Sequence, residues 1–301
     1  MLWPFGPIWR PMRRKRRDTV DLRWFTRRSW TTSWYPQGID TGIWDGRPAL
    51  AVSWFRQDRR GNHLASRIAL IDPKRSSHLD VALSIEDDDG ALVPARIHAG
   101  GLAWFEHRLF VAATGQGIWE FDLSDLRRVS GGLARRLRGG SDRGLPAAAL
   151  VAVRSRVHAV PLRCSFIGRV FDDAGRPLGR VLIGEYRTDD RGRIGEFSIP
   201  EDGAGGFVGR LEFSPGIPRM QGAVRWGAQH FISQSDLMLP GKLWSGPRED
   251  LRRHDVTLPV GPEDLALDPE AGVLWSLGEH PWRRVVRGIP FARIGLPERR
   301  P

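Results

Sequence analysis

Short apolar runs alternate with turn chemistry along the chain, and one arrangement of these runs recurs five times. Each unit opens with a Gly- or acid-marked entry into an apolar strand: PQGIDTG at Pro36, HAGGLAW at His98, RCSFIGRVF at Arg163, MQGAVRW at Met220 and GPEDLALD at Gly261. A second run follows in each: ALAVSWF from Ala49, RLFVAAT from Arg108, RVLIGEY from Arg180, QHFISQS from Gln229 and GVLWSLG from Gly272. Its fifth position is always small (Ser53, Ala112, Gly184, Ser233, Ser276), as close packing near a common axis requires. Third runs start at Ser66, Gly117, Gly192, Gly241 and Arg283, and fourth runs at His78, Leu150, Gly206 and His254.

The runs are rich in Val, Ile, Phe and Trp and are bounded by turns such as DDAGRP, TDDRGR and DPEAG, so they read as strands. Apolar residues on both faces suit sheets buried between other sheets. Serial four-stranded units that cannot bury both faces alone predict an all-β fold, a β-propeller of five mostly four-stranded antiparallel blades. A two-sheet sandwich accounts less well for five repeats. TVDLRWFTRRSW, ahead of the first unit, is expected to close the ring as an outer strand of the last blade. The expected organisation is a flexible basic leader over 1–30, one propeller domain over 31–292 with a mobile insertion at about 127–144, and a C-terminal tail over 293–301.

The charge and composition refine this picture. Arg10 to Arg28 carries nine basic residues against Asp18 and Asp21, so most of the net charge of +11 is concentrated there. A solvated leader is the expected role, over contact with nucleic acid or an anionic membrane surface. No apolar run approaches the roughly 20 residues of a membrane-spanning helix. Apolar residues precede basic ones at the N-terminus, the reverse of a secretory signal, which predicts a cytoplasmic protein unless the start site is misplaced. The single Cys164 excludes an internal disulfide framework and a Cys-rich zinc site.

The stretches HAGGLAWFEHRLFVAATGQGIWEFDL, RVLIGEYRTDDRGRIGEF, MQGAVRWGAQHFISQS and PEDLALDPEAGVLWSLGEHPWRRVV resemble an uncharacterised bacterial family of propeller-like proteins. That family is common in high-GC genomes, and its members are often described as secreted or hypothetical. The resemblance runs from about Pro36 to Phe291; it implies the propeller and no particular reaction. PEDLALDPEAGVLW is also similar to the blade phrase of calcium-dependent propeller lactonases, which implies a metal-holding acid at Glu263 or Asp264. Those enzymes draw asparagine ligands from other blades, whereas this chain has only Asn62. No cofactor is therefore expected, and calcium in the channel remains the minor alternative.

In a propeller the first strand of a blade begins on the face where the second one ends. That rule gathers Gln37, His98, Ser165, Gln221, Glu263 and Asp264 with Trp54, Glu185, Gln234, Glu279 and His280 around one mouth of the central channel. Such a polar ring predicts binding of a small polar molecule, a glycan or a polypeptide segment. The alternative is a hydrolase or lyase acting on carbohydrate or lactone, with Glu185, Glu263 and Glu279 as acid–base candidates. A weaker alternative is a scaffold using the blade rims and the basic tail. Gln, Glu and Asp at strand entrances also cap backbone groups, which competes with every one of these readings. Trp104, Trp119, Trp244 and Trp275 are expected to pack between blades, and Trp54 and Trp282 to offer exposed platforms.

Overall fold

The computed structural model describes residues 9–25, 29–140, 148–201 and 205–297. It is a five-bladed propeller. From the axis outward, the first blade runs Trp34–Trp44, Arg47–Gln57, His63–Asp72 and Ser77–Glu86. The second runs Leu102–Phe105, Arg108–Ala112, Ile118–Asp122 and Ala148–His158. The third runs Phe166–Phe171, Pro177–Gly184, Ile194–Ser198 and Val208–Phe213. The fourth runs Met220–Trp226, Gln229–Gln234, Pro240–Gly246 and Arg252–Val260. The fifth takes Pro262–Asp268, Val273–Gly278 and Val285–Pro290 from the C-terminal end and its outermost strand, Val20–Trp24, from the N-terminal end.

That last pairing, with Val20 opposite Gly288 and Leu22 opposite Val286, closes the ring as the sequence predicts. It is reinforced by the Arg287 guanidinium, whose Nε and Nη2 donate to Asp21 at 2.8 and 2.9 Å. The boundary of the leader needs correction. Arg10–Arg16 is a strand that pairs with Val20–Trp24 and reaches the outer strand of the first blade through Arg10 and Pro11. Met12, Leu22 and Trp24 are buried between blades, so alternate positions of this basic stretch carry its apolar face. Residues 1–8, Arg27 and Arg28 lie outside the described residues. The segment expected as a mobile insertion begins with a strand, Arg127–Ser130, and a short helix, Gly131–Leu137, while 141–144 lie outside the described residues. At the C-terminal end, Phe291–Ile294 forms a 3-10 turn that buries Phe291 and Ile294 against the fifth blade, and 298–301 lie outside the described residues. No helix of the described residues is long and apolar enough to cross a membrane.

The period of two along each strand explains how blades with two apolar faces are satisfied. In the second strand of the first blade, Ala49 and Ala51 enter the core shared with the second blade. Leu50, Val52 and Trp54 enter the core shared with the fifth. The same division sends Val181 and Ile183 toward the second blade and Leu182 toward the fourth. One such core therefore lies between each neighbouring pair of blades.

Near the axis the inner strands come too close for side chains. A Cβ on Gly38 would lie 2.7 Å from the Gly101 carbonyl carbon, and one on Gly222 would lie 2.7 Å from the Asp264 Cα. The small fifth-position residues also work as staples. Ser53 Oγ accepts from Gly38 N at 2.7 Å and donates to Ala99 O, in the entry to the next blade, at 2.7 Å. Ser233 Oγ donates to Glu263 O of the fifth blade at 2.7 Å. Ser276, at the same position of the fifth blade, is buried with no partner for its hydroxyl among the described residues. Ser53→Ala leaves a buried N–H and a buried carbonyl unpaired and should cost about 1–3 kcal/mol in urea unfolding. Ser276→Ala should leave stability unchanged or raise it; equal losses for the two variants would contradict this account of the seam.

Candidate functional site

The inner strands Phe166–Phe171 and Met220–Trp226 pair with each other in parallel at Val170–Arg225 and Phe171–Trp226. Among the described residues the other three inner strands present an unpaired edge to the channel, where buried N–H groups need acceptors. Asp264 supplies one. Its Oδ2 accepts from Ile39 N and Leu102 N, each at 3.1 Å, tying the fifth blade to the first two across the axis. Asp264 is fully buried, and burial pushes its carboxyl well above the ordinary range against those hydrogen bonds. This is a structural cap, as the competing sequence reading anticipated. Deeper along the axis Asp40 Oδ2 accepts from Trp104 N at 2.6 Å, and Arg169 of the third blade pairs with the same carboxylate at 2.7 Å.

At the entry mouth, four of the residues gathered from sequence form two hydrogen-bonded pairs. Gln37 Nε2 donates to Glu279 Oε2 at 3.1 Å, and Gln221 Nε2 donates to Glu263 Oε1 at 3.4 Å. Glu263 and Glu279 flank the start of the fifth blade, near enough for the charge of Glu279 to act on Glu263, where the pairing of Pro262 with Gly278 shifts register before Leu265 meets Ser276. His280 stands beside Glu279, Nδ1 to Oε1 4.0 Å, and its Nε2 lies 2.9 Å from Leu237 O. Behind them, Arg284 donates to the Glu279 carbonyl at 2.8 Å.

Burial, and then the charges of Glu279 and Asp264, push Glu263 well above the ordinary carboxyl range. Burial also raises Glu279, but His280, the Gln37 hydrogen bond and Arg284 all favour its charged form. Both carboxyls are thus raised, Glu263 the more strongly, so the two differ in how readily they give up a proton.

The other sequence candidates are placed differently. Glu185 is held by Arg193 Nη2 at 3.1 Å and accepts from the backbone N–H groups of Arg163 and Arg193 at 3.3 Å. Burial raises its pKa, yet these partners bring it below the ordinary value, so it is an ion-paired strand cap and no free acid. The idea that Gln37, Glu185 and Glu279 meet is corrected accordingly: no described contact joins Glu185 to the other two. Gln234 is occupied by Trp244 Nε1 at 2.9 Å. His98 is half-buried on Phe55, centroids 4.4 Å apart, and burial with the neighbouring His63 lowers its pKa to about 4, leaving it neutral. The Ser165 hydroxyl is buried without a partner among the described residues.

Trp54 is no platform. It is fully buried, packed edge-on against Trp24 with centroids 4.8 Å apart, because it shares strand parity with Leu50 and Val52. Trp282 is exposed, at 71%, and stacks on Trp30 at 5.7 Å. Leu237, Met238 and Leu239 are exposed in the neighbouring connection of the fourth blade. Among the described residues no group of three or more His, Cys, Asp or Glu side chains is placed to hold a metal ion.

Sequence reasoning missed the opposite mouth. There the ends of the inner strands and the starts of the second strands surround a cavity of about 640 Å³, lined by Thr41, Phe105, Arg169, Phe171, Ile199 and Asp268 among others. The rule used for the entry mouth, applied to the other ends of the same strands, would have found it.

No family model and no curated protein matches the chain. It is similar to several solved structures. A glutaminyl cyclase from Myxococcus xanthus shares 10% identity over 85% of this chain and 93% of its own, with a TM-score of 0.46. A gluconolactonase from Xanthomonas campestris shares 12% over 93% and 95%, at 0.45. A GH43_1 enzyme from Xanthomonas citri, complexed with xylose, shares 10% over 86% and 88%, at 0.44.

Because the folded-state pKa of Glu263 is raised, the folded protein holds a proton that the unfolded chain releases near 4.5. Its contribution is full below that pH and is lost as pH rises toward the folded pKa. Glu263→Gln should therefore flatten the fall in melting temperature above pH 4.5 and stabilise the protein at pH 7; a pH–stability curve identical to that of the wild type would show that Glu263 is not buried as described.

Proposed function

We propose that the protein is a ligand-binding propeller whose entry mouth takes a hydroxyl-rich ligand, a sugar or glycan. The observation that carries this is the set Gln37, Gln221, Glu263 and Glu279, in which amides and carboxyls from three blades meet on one face. Amide and carboxyl groups both donate and accept there, which is what vicinal hydroxyls require. The exposed Trp282, stacked on Trp30 three residues along from Glu279, adds a flat apolar surface for the C–H face of a sugar ring.

A second reading, a hydrolase or lyase on carbohydrate or lactone, draws support from the split between the two carboxyls. Glu263 would act as the acid and Glu279 as the base. Glu185, neutralised by Arg193, is not assigned a part in it.

Calorimetry against a panel of mono- and oligosaccharides tests both readings. A selective sugar should bind wild type, and Glu279→Gln and Trp282→Ala should each weaken it by about tenfold, the equivalent of about 1.4 kcal/mol. Binding that is indifferent to both substitutions, or no binding by any sugar, would overturn the glycan reading. Turnover of a bound glycoside or lactone that disappears in Glu263→Gln while binding persists would select the enzymatic reading.

A further inference from the structure

The cavity at the opposite mouth has a volume of about 640 Å³, within the range of small-molecule sites, roughly 300–1,000 Å³. Its walls are largely apolar, formed by Phe105, Phe171, Ile199, Pro48, Pro177 and Pro269. They are rigidly based. Thr41 and Arg169 at its base are fixed to Asp40, with Arg169 Nη2 donating to Asp40 Oδ1 at 2.9 Å and Thr41 N to the same oxygen at 2.8 Å.

The charges around it are not balanced alike. Each lining arginine already has a carboxylate: Arg169 has Asp40, Arg108 has Glu120 and Arg176 has Asp172, all at 2.7 Å. The lining carboxylates Glu106, Asp268 and Glu270 make no salt bridge among the described residues. Among the described residues Asp268 accepts from Ala271 N at 3.0 Å and Trp275 Nε1 at 3.3 Å. Burial, supplemented by the charge of Glu270, raises its pKa although Arg169 opposes this. An added positive charge would relieve that cost.

We propose that this second mouth binds an organic cation with an apolar, ring-bearing body, seated between Phe105, Phe171 and Ile199 with its ammonium group directed to Asp268 and Glu270. The ring replaces water against apolar walls, and the ammonium meets carboxylates that form no salt bridge among the described residues. The site is separate from the entry mouth, since Asp264 and its hydrogen bonds to Ile39 and Leu102 lie between the two.

Calorimetry with 2-phenylethylammonium, its neutral isostere 2-phenylethanol and the anion phenylacetate reads this directly. The ammonium should bind about tenfold tighter than the alcohol, and the anion weakest. Glu270→Gln, at an exposed position, should remove most of the preference for the ammonium while leaving the alcohol unchanged. Ile199→Trp should abolish binding of both by filling the cavity, and Glu279→Gln should alter neither. Preferred binding of phenylacetate, no binding by any probe, or an ammonium preference untouched by Glu270→Gln would overturn the proposal. Loss of ammonium binding in Glu279→Gln would place that ligand at the entry mouth and overturn it equally.

Discussion

Five inner strands converge on one axis, and apart from a short parallel pairing between those of the third and fourth blades, their inner edges meet no strand among the described residues. The rest of the structure depends on how those edges are satisfied. Water is excluded where Gly38, Gly101 and Gly222 let backbones touch, so the acceptors must come from the protein. Asp264 and Asp40 provide them at successive depths, taking the N–H groups of Ile39, Leu102 and Trp104. Burying two carboxyls is costly. Burial raises the pKa of both; the hydrogen bonds from Ile39 and Leu102 oppose this at Asp264, and pairing with Arg169 opposes it at Asp40. The solution closes the channel midway and leaves two shallow mouths of different character.

Around that axis the packing repeats. Alternate residues of each middle strand go to opposite inter-blade cores, so no blade has an apolar face left over. Closure needs a strand from the opposite terminus, and the basic N-terminal stretch supplies it with Leu22 and Trp24 inward and Asp21 paired to Arg287. Much of the positive charge assigned to a free tail thus decorates the outside of a strand pair.

The recurring strand pattern was legible because inter-blade burial imposes apolar character on both faces, and the small fifth position because the axis permits nothing larger. Trp54 was misjudged because its place at a strand end suggested exposure. Its parity with Leu50 and Val52 carried the right answer. Glu185 was misjudged because its partner, Arg193, lies on the far side of a turn and an abundance of arginine hides which one pairs. In the leader, the alternation of Met12, Leu22 and Trp24 was masked by the charges between them. That Gln37 and Glu279 are neighbours, by contrast, accords with strand direction, since the start of one blade's first strand and the end of the adjacent blade's second strand lie at the same mouth.

One segment, Gln37 to Thr41, runs from one mouth to the other and is held at every residue. Gln37 bonds Glu279, Gly38 bonds Ser53, Ile39 bonds Asp264, Asp40 pairs with Arg169, and Thr41 Oγ1 donates to Leu267 O at 3.3 Å. A strand fixed this densely, and packed against neighbours on both sides, has no second arrangement of comparable energy to occupy. Coupling between distant sites needs such an alternative state. The two mouths are therefore joined by a stiff spacer, and substitutions within it act on the stability of the whole ring, whereas Glu279 and Glu270 sit at its two ends, where chemistry can change without loosening the axis.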